Sequence, residues 1–252
     1  MREHLLKTLE NGIRYDGRKL DQFRDISITY DISKSAEGSA EVRIGNTRVL
    51  VGVKMAVEKP YPDTPDSGNL MVNTELTPLA SPKFESGPPD INSIEIARVI
   101  DRGIRESKAI DTKQLCITVA EKVWSVMVDV IPLNADGNLL DAGALGALAA
   151  LKKARFPKYE DNIIDYMTKT DKHVPLVREP IAVTVFKIGP HFLVDPIPDE
   201  EEHADARLTI TVTGDNKLCA LQKGGEEPLS IDDIETMITM ALKIAPMLRK
   251  KL

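Results

Sequence analysis

The sequence predicts an α+β fold, with mixed sheets and helices packed on them. Two observations predict it. In each half of the chain several strand-like runs come first and a long helical pattern follows, the order expected when sheets and helices segregate rather than alternate. The 252 residues are 42% hydrophobic and 29% charged, enough to bury a sizeable core as one large domain or two small ones.

The elements follow in order. Leu5, Leu6 and Leu9 share one side of a short opening helix, which Asn11-Gly12 ends. Arg14-Tyr15-Asp16-Gly17-Arg18 is turn-rich. Ile26, Ile28, Tyr30 and Ile32 alternate with polar residues, as in a half-buried strand. Ala40, Val42 and Ile44, the turn Gly45-Asn46, and Val49-Leu50-Val51 read as a hairpin. The prolines of 58–68 make a loop, and strand-like sequence resumes at Leu70. A second breaker cluster, Pro78 to Pro89, precedes a long helix from about Ser93 to Ser107. Leu115–Ala120 and Val123–Ile131 read as strands, Asp136-Gly137 as a turn, and Asp141 as the cap of a helix from Ala142 to about Ala154.

The stretch 155–177 is polar and reads as irregular. It is the expected boundary, dividing the chain into 1–160 and 178–252 joined by a polar linker over 161–177. Beyond it, Ile181–Ile188, His191–Val194, Leu208–Val212 and Leu218–Gln222 are strands. Ser230 and Asp233 form a capping box for a last helix to about Leu248.

Composition excludes several classes. No apolar run approaches the roughly 18 residues of a membrane span, and the start lacks a signal peptide's apolar stretch. Two distant cysteines and four scattered histidines give neither a disulfide framework nor a zinc-ligand spacing. The expectation is a cytoplasmic protein with reduced thiols, no cofactor, no metal and no membrane partner. A net charge of −6 argues against coating nucleic acid through the overall field, while leaving room for a local basic stripe. Aromatics, at 4%, are too few for a base-stacking platform.

Three places can hold chemistry. Asp141-Ala142-Gly143-Ala144-Leu145-Gly146 has the glycine spacing of an anion-binding helix start. Ala144 and Leu145 donate no hydrogen bonds, however, so close packing of a buried helix is the better reading. On the helix from Ser93, Ile96, Ile100, Gly103 and Ile104 gather on one face, and Arg98, Arg102 and Arg105 stripe the opposite one. Three guanidiniums at that spacing suit successive phosphates of a strand. Taken alone, the pairs Glu95–Arg98, Asp101–Arg105 and Arg102–Glu106 favour a solvated, ion-paired face. The acidic run Asp199–Asp205 suits a cation or a general acid, although its charge pattern favours a solvated loop. Asp205 is the exception, since it leads into a strand.

Taken in order, Arg14-Tyr15-Asp16-Gly17-Arg18, Gly38-Ser39-Ala40, Gly45-Asn46-Thr47-Arg48-Val49-Leu50, Glu95-Ile96-Ala97-Arg98, Leu140-Asp141-Ala142-Gly143 and Ala204-Asp205 resemble the RNase PH family of phosphorolytic exoribonucleases. The resemblance runs from about residue 13 to the last helix. It implies the RNase PH fold, of the ribosomal protein S5 domain 2-like type, with an N-terminal and a C-terminal RNase PH domain. Catalytic members carry Ser or Thr and then Arg for the attacking phosphate; here Ala144 and Leu145 stand in those places. Their two aspartates before a strand are matched by Asp205 and, loosely, by Glu201 or Glu202.

This pattern is similar to the branch of catalytically silent ring subunits of the archaeal exosome. The resemblance implies no catalytic residues and a hexameric ring with a catalytic RNase PH-like paralogue. It also implies RNA-binding cap subunits, and single-stranded RNA held by Arg98, Arg102 and Arg105. In that context the stripe reads as an RNA contact. An active phosphorolytic 3'-to-5' exoribonuclease using other residues, and a scaffold without RNA contact, are the alternatives.

Overall fold

The computed structural model describes residues 2–252. Two sheets and a separate hairpin carry five helices. The elements are α1 (Arg2–Glu10), β1 (Ile26–Tyr30), β2 (Gly38–Ile44), β3 (Thr47–Glu58), β4 (Asn69–Thr74), α2 (Ile91–Glu106), β5 (Cys116–Thr118), β6 (Lys122–Asn134), α3 (Leu139–Lys153), β7 (Arg155–Glu160), β8 (Ile163–His173), β9 (Ile181–Ile188), β10 (His191–Val194), α4 (Pro198–Glu202), β11 (Ala206–Val212), β12 (Leu218–Gly225) and α5 (Ile231–Arg249).

The first sheet runs β1-β2-β3-β6-β4, with β5 paired to β6. It is mixed, because β4 lies parallel to β6 while the other pairs are antiparallel. The second, β10-β9-β11-β12, is antiparallel. The α+β class with mixed sheets is therefore present as expected.

Helix α3 packs against both sheets, meeting β2, β3 and β9. Every residue from Leu140 to Leu151 is buried, the mark of a helix that is apolar all round. The spacing glycines serve this packing. A Cβ on Gly146 would lie 2.7 Å from a methyl of Val51, and one on Gly143 would lie 3.0 Å from Ile100. Helix α2 lies beside α3, between edge strands β4 and β12 of the two sheets. Helix α5 covers β9 and β11.

Three expectations need correction. Asp141 does not cap α3: the helix starts at Leu139, and its N-cap Asn138 is left-handed (φ 57°) and makes no capping bond. Gly137, also left-handed, makes the turn before it. Asp141 instead reaches across to β9. The stretch 161–177 is not irregular, since Ile163–His173 is a strand paired with Arg155–Glu160. Its side chains alternate poorly because nearly all are exposed, so no buried face imprints a period of two. The acidic run is not a solvated loop throughout: Pro198–Glu202 is a short helix and Glu200 is fully buried.

Candidate nucleic-acid interface

The arginine helix is well made. Asp90 caps it by accepting from the Ser93 N–H at 2.8 Å. Ile96, Val99, Ile100, Gly103 and Ile104 are buried, which leaves Arg98, Arg102 and Arg105 exposed on the outer face. The stripe read from the sequence is thus in place, where both sheets present an edge.

Its charges are not all equally available. Arg105 is committed: Nε and Nη2 donate to Asp101 at 3.0 and 2.8 Å, and Nη2 also donates to the Leu70 carbonyl at 3.0 Å. That ion pair follows the expected i,i+4 spacing. The other two expected pairs do not form. Glu95 turns away from Arg98 and accepts from Arg207 of β11 at 2.6 Å. Arg102 passes over Glu106 and donates to Gln222 Oε1 on β12 at 3.2 Å. Arg98 has no side-chain hydrogen bond among the described residues. The pairing of Glu95 with a residue 112 positions away leaves no signal in local spacing, so the sequence could not reveal it.

Inside the fold from α2, a cleft of about 410 Å³ is lined by Glu95 and Ile96, the start of α3, and Glu201 and Arg207. Ala144 and Leu145 are buried just along α3, 9% and 4% exposed, and present no donor. Glu201 accepts from the Asn138 N–H at 3.2 Å, and burial pushes its carboxyl up from the usual range. The cations that act on it are already paired, Arg207 with Glu95 and Arg24 with Asp195 and Asp136. Asp205 accepts from the Gly189 N–H at 2.6 Å and pairs with Arg2 at 2.7 Å. Among the described residues no three His, Cys, Asp or Glu side chains are placed to hold a metal ion. None of the described helices is long and apolar enough to cross a membrane.

Behind the cleft lies a buried polar clasp. Arg14 and Glu200 pair with both side chains fully buried. Arg14 also donates to the carbonyls of Val194 and Asp195, at 2.8 and 2.7 Å. Asp195 accepts from Arg18 at 2.9 Å and from Arg24 at 2.7 Å. Burial pushes the Asp195 carboxyl up, but the hydrogen bonds and charge of Arg24, with Arg18 behind, hold it below the usual range. The turn-rich Arg14–Arg18 segment therefore has a structural job: it fixes the N-terminal segment to the β10–α4 connection.

Asp141 gives the site a pH signature. Its Oδ1 accepts from the N–H and Oγ1 of Thr184, at 2.9 and 2.7 Å, while buried Oδ2 has no partner among the described residues. Burial raises its pKa to about 7 from the ordinary 3.8. An acid whose folded pKa is raised costs stability as pH climbs from its unfolded to its folded value. Stability should fall by a few kcal/mol between about pH 4 and pH 7 from this group alone, then level off. In Asp141→Asn that portion of the slope should vanish, as read by denaturant unfolding across the range. Parallel profiles for the two proteins would contradict it.

The sequence pattern of the 3' exoribonuclease family, domain 1, matches residues 22–157, and that of domain 2 matches residues 179–244. The exosome complex component Rrp42 of Methanocella arvoryzae is 46% identical over 251 residues, spanning 100% of this chain and 95% of the relative. That of Methanopyrus kandleri is 45% identical over 253 residues, spanning 99% and 94%. A solved structure of the Archaeoglobus fulgidus exosome with RNA bound to the active site superposes with a TM-score of 0.93 at 46% identity. It covers 99% of this chain and 96% of that one. Rice Rrp46, at 19% identity and a TM-score of 0.69, shares the fold.

Proposed function

Because the chain belongs to the RNase PH family of 3' exoribonucleases and has that family's fold, we propose that it is a catalytically silent subunit of an exosome-type 3'-to-5' RNA-degrading complex. It forms a hexameric ring with a catalytic RNase PH-like paralogue, below RNA-binding cap subunits, in the cytoplasm. The observation that carries this reading is the burial of Ala144 and Leu145 within α3. Where resembling catalytic members place a hydroxyl and a guanidinium for inorganic phosphate, this chain places core-packed methyl groups. Among the described residues, the cations that act on Glu201, Arg207 and Arg24, are paired with other carboxylates.

The division of labour follows from charge. An acidic chain attracts RNA weakly as a whole, but Arg98 and Arg102 offer two guanidiniums without a committed carboxylate. Set at a subunit boundary, they hold successive phosphates while the paralogue supplies the phosphate site. Arg105 continues the stripe with its donors shared with Asp101. Edge strand β12 exposes Leu218 and Leu221, 40% and 41%, beside α2. Apolar side chains on an open edge suit burial against a partner.

Glu201 favours one second reading. A half-buried carboxyl, raised by desolvation and lining a cleft, is a general-acid candidate, so the chain would be a phosphorolytic enzyme itself. One assay separates the two. Incubated alone with RNA and phosphate, the purified chain should release no nucleoside diphosphates, and mixing it with a catalytic relative should yield activity. Phosphate-dependent release by the chain alone, abolished by Glu201→Gln, would establish the second reading instead.

A further inference from the structure

Away from α2, at the β1 edge of the first sheet, lies a second charged feature. The loop after β1, the end of α3 and the β7–β8 hairpin surround an open cleft of about 540 Å³. Lys34, Lys153, Arg155, Lys169 and His173 line it, together with Asp31 and Glu37. Glu37 is spent inside the fold: it is buried, with Lys54 Nζ at 2.9 Å and the Met55 N–H at 3.0 Å. Asp31 is then the one carboxylate left against four permanent cations. The salt bridges of this region, Lys54–Glu37, Lys152–Glu179 and Lys158–Glu160, leave Lys34, Lys153, Arg155 and Lys169 without an acidic partner.

Several of the lysines here are held in place. Lys153 sits 5.1 Å from the Tyr30 ring and Lys54 sits 4.6 Å from the Tyr166 ring, and Lys169 donates to the Ala36 carbonyl. A helix dipole explains lysines at the C-terminus of α3. It does not explain Lys34, Arg155 and Lys169, which come from three other segments. Their concentration runs against a chain whose net charge is −6.

We propose that this cleft binds the phosphodiester backbone of single-stranded RNA, as a second contact separate from the α2 stripe. Two features favour a passing strand over a compact phosphate ligand. Lys34, Lys153, Arg155 and Lys169 are all exposed, so their charges are spread across an open surface. A lone phosphate at this end of α3 would also meet the negative end of the helix dipole, whereas a strand can be held by side chains set off the helix axis. Four strand spacings, roughly 19 Å, separate β1 from β4, so only an oligonucleotide shorter than that span is confined to the stripe. The proposal shares with the function above only the identity of the ligand.

The test measures binding of a long and a short single-stranded RNA to the chain assembled with a catalytic relative. Lys34→Glu combined with Arg155→Glu should weaken binding of the long RNA about tenfold at low salt. It should flatten the log–log salt slope by about 1.4, two contacts' worth, and spare the short RNA. Arg98→Ala with Arg102→Ala should weaken both, so failure of one site is told apart from failure of the other. Long RNA should also protect Lys34 and Lys153 from acetylation. Unchanged affinity, slope and acetylation would overturn the proposal. So would loss of assembly in the charge-reversed variant, which would assign the cleft to an acidic protein surface.

Discussion

Replacing Glu200 with Ala should cost about 3–5 kcal/mol of folding stability, lowering the melting temperature by roughly 6–20 °C. The side chains of Arg14 and Glu200 are both 0% exposed. Nε donates to Oε1 at 2.9 Å, and a second bond joins Nη2 to Oε2. Truncation leaves a guanidinium in the interior, with carbonyl oxygens still about it and no carboxylate of its own. Much of the cost is that stranded charge rather than the worth of the pair. The double variant Arg14→Met, Glu200→Leu should therefore recover most of the loss. Chemical unfolding of the two single variants and the double variant closes the cycle. A loss in Glu200→Ala below about 1 kcal/mol, the range of a surface pair, would contradict the buried-clasp account. Because Arg24 also donates to the carbonyl of Asp136 at 2.6 Å, just ahead of α3, the clasp supports the start of that helix.

What the sequence made legible divides along local and non-local lines. The opposition of Ile96, Ile100 and Ile104 to Arg98, Arg102 and Arg105 needs only the helical period, and it held. So did β9, bounded by its turn at Gly189, and the capping box of Ser230 and Asp233. The sequence places the start of α3 at Asp141 because Asp at such a place is a good N-cap residue. Here tertiary structure outbid it: Thr184 of β9 offers two donors, and the cap falls to a left-handed Asn138. Strand β8 was missed because an exposed hairpin carries no hydrophobic alternation. Glu200 and its neighbours Glu201 and Glu202 are alike in sequence. Only the fold sets the first against Arg14, the second against the start of α3 and the third in solvent with Lys83. The motif Arg14–Arg18 was visible as a family feature, while its partner Asp195 carried no local cue at all. Strand β8 apart, whose partner β7 is adjacent in the chain, the deciding contact in each miss spans more than 40 residues.

That same non-local logic governs the largest functional effect we expect. Arg98→Ala and Arg102→Ala should each weaken RNA binding by the assembled complex, at all sequences alike, because phosphate contacts carry no base information. Each should flatten the log–log salt slope by about 0.7, and the pair together should lower affinity by about one to two orders of magnitude. Both side chains are exposed on the face away from the core, so folding and assembly should survive. Arg105→Ala should do less, since Asp101 already holds that guanidinium. Arg102→Lys should recover part of the loss, lysine being unable to make a bidentate contact.

The pairing of Glu95 supplies a discriminating control. Arg207 holds Glu95 at 2.6 Å, away from Arg98 three residues on. In Arg207→Ala the carboxylate is released to pair with Arg98 across one helical turn. RNA affinity should then fall although no RNA-facing side chain has changed, and Glu95→Gln added to Arg207→Ala should restore it. If all these variants assemble normally and bind and degrade RNA with unchanged affinity, rate and salt slope, the stripe is a solvated helix face. The chain's part in the ring would then be scaffolding alone.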